Sequence, residues 1–435
     1  MDAEIIRSAR ALREKTIARR RDFHKHAEVG WTEFRTASIV ARTLSELGYQ
    51  VRTGEEVVDG ASMMGVPPPG ELERQFQRAL AQGADPVWAE RMRGGKTGVL
   101  GVMTFARPGP TVALRVDMDA NDLVEADDPK HRPFREGFAS VNRGAMHGCG
   151  HDGHTAMGLA VAEVLAGMRD RLGGTIKFIF QPAEEGVRGA KAMLARGVVD
   201  DVQYFVGAHL GVTLRKSRQV ACRTEGFLAT TKLDATFTGV PAHAGAAPEA
   251  GRNAILAAAT ATLNLHAISR HSRGASRVNV GVIQGGTGRN VIPATAVIKL
   301  ETRGATTEIN EYVYAEAVRI IQAAAAMHGV RVEIQLMGGA AGCDNDAALV
   351  ARIERVVKRQ GLFSEILPAG NIGGSEDCTY FMERVQKNGG QAAFVMIGTE
   401  LGAGHHESYF DFEEEALVPG TALLAGVAAD CLTQG

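Results

Sequence analysis

Thirteen histidines occur in the 435 residues; four fall between His131 and His154, and two are adjacent at His405 and His406. The densest group is MHGCGHDGHT (146–155), where Cys149 and His151 stand two apart on a glycine-rich turn. That spacing can aim a thiolate and an imidazole at one point, and sulfur plus imidazole suits zinc or a similar transition metal. Asp152 can cap the following helix or accept a hydrogen bond from a ligand histidine. The same decapeptide also reads as a His-rich helix cap with a buried cysteine. QPAEEG (181–186) adds two adjacent glutamates whose side chains diverge. One can therefore ligate a metal while its neighbour stays free as a base, although a solvated acid pair at a helix start has the same sequence. His209 ends YFVGAH, and GAGHHESYF (402–410) supplies the paired histidines.

These segments share a place in the hydropathy pattern. The apolar runs VALRV (112–116), TIKFIF (175–180), YFVGAHL (204–210) and AAFVMIG (392–398) read as buried strands. They alternate with helical spacing in HTAMGLAVAEVLAGM (154–168) and AALVARIERVVKRQG (347–361), the second closed by a glycine stop. Such alternation predicts an α/β domain with a mostly parallel central sheet and helices on both faces. QPAEEG, GAH and GHH then lie at the carboxyl ends of strands, where open α/β sheets place their sites.

The middle of the chain follows another order. Strands are expected over 232–239, 278–284, 294–302 and 330–336, and helices over 253–268 and 308–329. That order, β-α-β-β-α-β, predicts an inserted α+β, ferredoxin-like unit. The expected organisation is a discontinuous domain, 1–217 and 339–435, interrupted by a second, 218–338.

Composition removes several functions. With 48 Lys+Arg against 50 Asp+Glu, the net charge of −2 leaves no concentrated basic footprint for nucleic acid or an anionic membrane. RMRGGKTG (91–98) is superficially like a phosphate loop, but the required first glycine falls on Glu90. Five scattered cysteines argue against a disulfide framework and for a reducing compartment. The charged N-terminal helical pattern lacks the features of a secretory signal, and no unbroken apolar run approaches the roughly 18 residues of a span. The cytoplasm is the expected location.

The order MHGCGHD, QPAEEG, GAH and GHHESYF around an inserted β-α-β-β-α-β unit resembles the aminoacylase/carboxypeptidase family of dinuclear metallohydrolases. Within it, the chain is most similar to the branch of auxin-conjugate, hippurate and N-acyl-amino-acid amidohydrolases, which use a cysteine in the metal site. The similarity runs from RRRDFHKHAEVGWTE (19–33) to the C-terminal helix. It implies a zinc-exopeptidase-like fold and two divalent metal ions, manganese or zinc, held by Cys149, His151, Glu185, His209 and His406. His406 is favoured over His405 because its distance to Tyr409-Phe410 matches the family's His-Ser-Pro-Tyr-Phe pattern. Glu184 matches the general base.

In the inserted lid and dimerisation domain, TGVPAHAGAAPEAGRNAI (238–255) resembles the motif whose histidine, here His243, reaches the neighbouring protomer's active site and stabilises the tetrahedral intermediate. GGTGRNVIPA (285–294) resembles the loop whose asparagine, here Asn290, lies near the substrate carboxylate, with Arg289 a second substrate-binding candidate. Asp119 could orient a ligand or cap a strand, Arg303 could be structural, and Ser375 reads as an ordinary helix N-cap. Two departures from the family pattern are Ala27 in place of proline and Glu407-Ser408 in place of Ser-Pro. The implied activity is hydrolysis of the amide between an aromatic acyl group and an amino acid, as in p-aminobenzoyl-glutamate. Indole-3-acetyl-aspartate or a general N-acyl amino acid is the alternative substrate, and a non-catalytic metal-binding homologue is the alternative of a different class. The implied assembly is a homodimer through the inserted domain, compatible with a second type of subunit.

Overall fold

The structure, a computed structural model, describes residues 1–433. The chain forms two compact units, one made of Met1–Glu225, Asp344–Gly373 and Asp377–Gly435, the other of Gly226–Cys343 and Gly374–Glu376. The first unit begins with strands β1 (Gln50–Thr53), β2 (Val99–Thr104), β3 (Arg107–Asp117), β4 (Gly173–Gln181), β5 (Tyr204–Leu210), β6 (Gln219–Ala221) and β7 (Thr224–Glu225). The second contributes β8 (Ala229–Thr238), β9 (Ser276–Gly285), β10 (Thr295–Gly304) and β11 (Arg331–Ala340). The first unit is then completed by β12 (Glu365–Leu367), β13 (Gly370–Asn371) and β14 (Gln391–Ile397).

The main sheet of the first unit has the order β1-β2-β4-β3-β5-β14-β6-β12. Its central strands β4, β3, β5 and β14 are mutually parallel, while β2 joins β4 and β6 joins β14 antiparallel. Parallel strands covered on both faces need apolar side chains at consecutive positions. The runs FIF in β4 and AAFVMI in β14 meet that need and are buried throughout.

The helix His151–Ala166 buries all of its residues except Glu163 and packs on β3 and on the C-terminal helix Leu417–Thr433. Gly158 permits this approach, because a Cβ there would sit 2.9 Å from Val116 and 3.0 Å from Phe180. The helix starts three residues earlier than its apolar spacing suggests, so His151 and Asp152 lie in its first turn, behind Gly150 at φ +89°. Segment Glu414–Thr433 has the length and apolar composition of a membrane-crossing helix, yet most of it is buried in the protein. It is a core element of this unit.

In the second unit β11-β8-β10-β9 form an antiparallel sheet, with helices Ala254–His266 and Thr307–Met327 closing its apolar core. This is the β-α-β-β-α-β arrangement. A bulge between Leu336 and Gly338 carries β11 to Ala340, whereas β6 and β7 pair with β14 and β13 in the first unit. These pairings set where the chain passes from one unit to the other.

Helix Arg13–Lys25 brings two buried cations to the start of helix His151–Ala166. The Arg20 guanidinium lies 2.8 Å from Asp152, 2.6 Å from Asp411 and 3.3 Å from Glu414, with the Phe412 ring 4.4 Å beneath it. His24 donates from Nδ1 to Asp152 (2.8 Å) and from Nε2 to Glu125 (2.9 Å). Asp152 therefore serves this knot and its own helix start, where Gly153 N–H donates to it, and not a neighbouring ligand histidine. Burial disfavours the His24 cation, but Asp152 and Glu125 outweigh it and push the pKa up to about 9.

The imidazolium's contribution to stability is complete below the ordinary histidine pKa of 6.5 and is lost as pH rises through about 9. At 1.36 kcal/mol per unit, it is at most about 3 kcal/mol. His24→Gln is therefore expected to lower the thermal midpoint most near about pH 6 and progressively less on approaching about pH 9.5. Calorimetry across that range checks this, and a destabilisation independent of pH would contradict the ion pair.

Candidate metal centre

The connection leaving β3 runs to β4 on one side and the connection leaving β5 runs towards β6 and β14 on the other, so a topological switch point lies between the carboxyl ends of β3 and β5. Cys149 and His151 come from the turn and helix start that follow β3, Glu184 and Glu185 from the turn after β4, His209 from the end of β5, and His406 from the segment after β14. Donor atoms of Cys149, His151 and His209 lie within 4.8 Å of one another, as do those of Cys149, Glu185 and His406, and those of His151, Glu184 and Glu185. Cys149 Sγ is 3.5 Å from His209 Nε2, His406 Nε2 is 3.3 Å from Glu185 Oε1, and His151 Nε2 is 3.9 Å from Glu184 Oε2.

Hydrogen bonds decide which nitrogen each imidazole offers. His151 Nδ1 donates to the Asp119 carbonyl at 2.9 Å and His209 Nδ1 to the Leu210 carbonyl at 2.7 Å. Carbonyls only accept, so Nδ1 carries a proton in both rings and Nε2 is the donor turned to the site. His151 Nε2 is buried and has no hydrogen-bond partner among the described residues. Burial and the Glu185 charge push the Cys149 thiol up to about 12, against the opposing pull of His151. Burial would likewise raise the Glu185 carboxyl, but His406 and His151 outweigh it and hold it down to about 2. A thiol that cannot ionise unaided beside a carboxylate and an orphaned imidazole nitrogen is the donor set that a divalent cation completes.

The adjacent histidines face different partners. His405 Nε2 accepts the Val212 N–H at 2.9 Å and its ring packs 4.8 Å from Phe410, whereas His406, at φ +64°, turns to Glu185. His154, although close, has both nitrogens engaged, Nδ1 donating to Asp117 (2.6 Å) and Nε2 accepting from Leu210 N–H (2.9 Å).

A buried polar chain lies under these groups. Asp117 also accepts from Arg115 (2.8 Å), Arg115 donates to Gln181 (2.8 Å), and Gln181 donates to Asp377 (2.7 Å), which takes the Gly189 and Ala190 N–H groups at 3.0 and 2.9 Å. The Asp119 carboxylate accepts the N–H groups of both Glu184 and Glu185, each at 2.9 Å. Asp119 thus fixes His151 through its carbonyl and the glutamate pair through its side chain. Sequence reasoning passed over Arg115, Gln181 and Asp377; the one local signal is a charge, Arg115, inside the otherwise apolar run VALRV of β3.

His243, Arg289 and Asn290 belong to the second unit and are exposed. His243 bridges Val291, and Ala244 N–H donates to the Asn290 carbonyl at 3.0 Å, so the two loops lie side by side. His243 Nδ1 accepts from Gly245 and Ala246 N–H at 3.2 and 3.1 Å, which places the neutral ring's proton on Nε2. Arg303 pairs with Glu301 at 2.8 Å. Ser375 is not an N-cap: its hydroxyl donates to the Leu228 carbonyl at 2.6 Å, and the next helix, Thr379–Lys387, begins behind Cys378.

The profile of peptidase family M20/M25/M40 matches residues 113–430, a span that contains every donor named above. The chain is 53% identical over 410 residues to one component of the p-aminobenzoyl-glutamate hydrolase of Escherichia coli (strain K12), covering 94% of each sequence. It is also 53% identical over 407 residues to the indole-3-acetyl-aspartic acid hydrolase of Enterobacter agglomerans, covering 93% of each. The crystal structure of an aminobenzoyl-glutamate utilization protein from Klebsiella pneumoniae matches with a TM-score of 0.84 and 44% identity over 98% of both chains. The chain is a member of peptidase family M20/M25/M40, a hydrolase family, as the order of its donor motifs implies.

Proposed function

We propose that the protein hydrolyses the amide bond between an aromatic acyl group and an acidic amino acid, with two divalent cations held by Cys149, His151, Glu185, His209 and His406. The observation that carries the metal reading is the convergence of Cys149, His151 and His209 around a buried imidazole nitrogen with no hydrogen-bond partner among the described residues. Bound cations supply the positive charge that lowers the pKa of water towards neutrality and polarises the amide carbonyl. Thiolate and imidazole favour zinc, and the carboxylates favour manganese.

Glu184 takes a proton from the attacking water and returns it to the departing amine nitrogen, a role worth roughly 10²–10⁴-fold. Its backbone is held by Asp119, so the carboxylate meets the water without first being ordered. His243 donates from Nε2 to the oxyanion of the tetrahedral intermediate, contributed by a neighbouring protomer. Asn290 and Arg289 supply amide and guanidinium donors for substrate carboxylates. Support for the substrate class comes from the relatives, one named for p-aminobenzoyl-glutamate and one for indole-3-acetyl-aspartic acid, each an aromatic acyl group joined to an acidic amino acid. Equal identity to the two makes both compounds first choices for assay.

A homodimer through the second unit fits its surface. Strand β9 is a sheet edge that exposes Val282 and Ile283, and the neighbouring helix exposes Leu256 and Leu263, a combination that favours pairing with a second copy. Five free cysteines suit a reducing compartment, which supports a cytoplasmic location.

Glu184→Gln is expected to keep its metal content and lose about 10²–10⁴-fold in kcat on both substrates; retained turnover would remove Glu184 from the mechanism. Loading the metal-free protein with zinc or manganese should release protons and tighten as pH rises, because Cys149 and His151 must give up theirs. Calorimetry in two buffers of different ionisation enthalpy measures that release, and identical heats would refute it. Val282→Lys should convert the dimer to monomer in analytical ultracentrifugation and abolish turnover with it, whereas a fully active monomer would exclude a trans role for His243.

A further inference from the structure

The turn that presents Glu184 and Glu185 has no regular secondary structure, and two of its non-glycine residues, Ala183 (φ +49°) and Val187 (φ +58°), are left-handed. Each crowds its Cβ against the backbone and persists only where surrounding bonds over-determine it. Asp119 and Asp377 take N–H groups on the C-terminal side of Ala183. The Ala183 N–H itself donates, at 2.8 Å, to Glu33, which is remote in sequence and wholly buried. The other Glu33 oxygen accepts from the buried Thr97 hydroxyl at 2.6 Å.

Glu33 stands at the N-cap of helix Phe34–Glu46 but makes no side-chain cap bond there. That task falls to Glu28, whose carboxylate accepts the Arg35 and Thr36 N–H groups at 2.9 and 2.8 Å. The Glu33 carboxyl is thus released from its own helix and committed to the turn. Gly30 completes the fit, since a Cβ there would lie 3.0 Å from the Ala183 Cα.

We infer that Glu33 is a positioning residue for the reaction: it holds Ala183 in the left-handed conformation from which Glu184 is presented. The inference rests on Glu184 acting as the proton carrier. Without the Glu33 acceptor, Ala183 relaxes to negative φ and the next peptide turns, displacing the Glu184 carboxylate. A displacement of about 1 Å is enough to cost about 10²-fold in rate.

The test compares Glu33→Ala, Glu33→Gln and Thr97→Val in the metal-loaded enzyme, with Tyr49→Phe as a control that loses a buried hydrogen bond to the Ala162 carbonyl elsewhere in the unit. Glu33→Ala is expected to lower kcat about 10²-fold with KM within about threefold and metal per chain unchanged. Glu33→Gln keeps an acceptor for Ala183 and turns its amide N–H to Thr97, whose hydroxyl then accepts, and should return kcat to within about fivefold of the parent. In the metal-free proteins, hydrogen exchange over 182–190 should accelerate in Glu33→Ala and not in Tyr49→Phe, which loses thermal stability alone. Parental kcat in Glu33→Ala, a loss lying wholly in KM, or Glu33→Gln falling as far as Glu33→Ala overturns the inference. If Glu33→Ala does not fold, Thr97→Val decides, a several-fold fall in kcat supporting the role and parental kcat overturning it. Parental turnover in Glu184→Gln would instead remove the reading on which the inference rests, while an inactive Glu184→Gln beside an unaffected Glu33→Ala would leave that reading standing and refute only the role of Glu33.

Discussion

A carboxyl group taken out of water must be met by cations or hydrogen-bond donors, or keep its proton; the first unit buries Asp117, Asp119, Asp152 and Asp377 to 1% exposure or less, together with Glu33, whose pKa burial and the Asp119 charge push up to about 8. Each is satisfied by a segment far away in the chain. Asp152 takes Arg20 and His24 from the N-terminal helix, Asp119 and Glu33 take the turn after β4, and Asp377 takes the same turn further on. Asp117 ties Arg115 to His154 and through it to the end of β5. The carboxyl edge of the sheet is therefore held by charge as much as by apolar packing, and its parts cannot shift independently.

This arrangement separates two kinds of acid in one small region. The scaffold carboxyl groups have their oxygens committed to guanidinium, imidazole, amide, hydroxyl or backbone donors. Glu185, by contrast, is held down mainly by His406 and His151, the residues that share its donor groups. The histidines divide in the same way. His154 and His405 give a ring nitrogen to a backbone N–H, whereas His151 and His209 are locked through Nδ1 so that Nε2 remains for the site. Proximity alone would admit all four as ligands, and hydrogen bonding selects two.

The second unit is built on other terms. Alternation along β8 sends Leu233, Ala235 and Phe237 into an apolar core closed by alanine-rich helices. Its candidate residues, His243, Arg289 and Asn290, sit on exposed loops that brace each other through backbone bonds. Such loops hold a side chain ready while leaving it accessible to a substrate or a second protomer.

Much of this was legible from residue order. Apolar runs of strand length ending in QPAEEG, GAH and GHH disclosed a parallel sheet with donors at its carboxyl edge, because strand burial and strand-end position are local properties of the pattern. The Cys149-x-His151 spacing disclosed a shared aim because both residues lie within one turn, and the β-α-β-β-α-β order disclosed the second unit. The start of the helix at His151, the strands β1 and β2, and the bulge that extends β11 were not legible, since glycine conformation and strand pairing are settled by neighbours. The ring nitrogen His151 presents, the turn of His406 and not His405 toward Glu185, and the suspension of Ala183 from Glu33 depend on bonds between residues tens to hundreds of positions apart. Those bonds have no sequence signature, because they exist only once burial makes an unpaired donor or acceptor costly, and that condition arises with the tertiary structure.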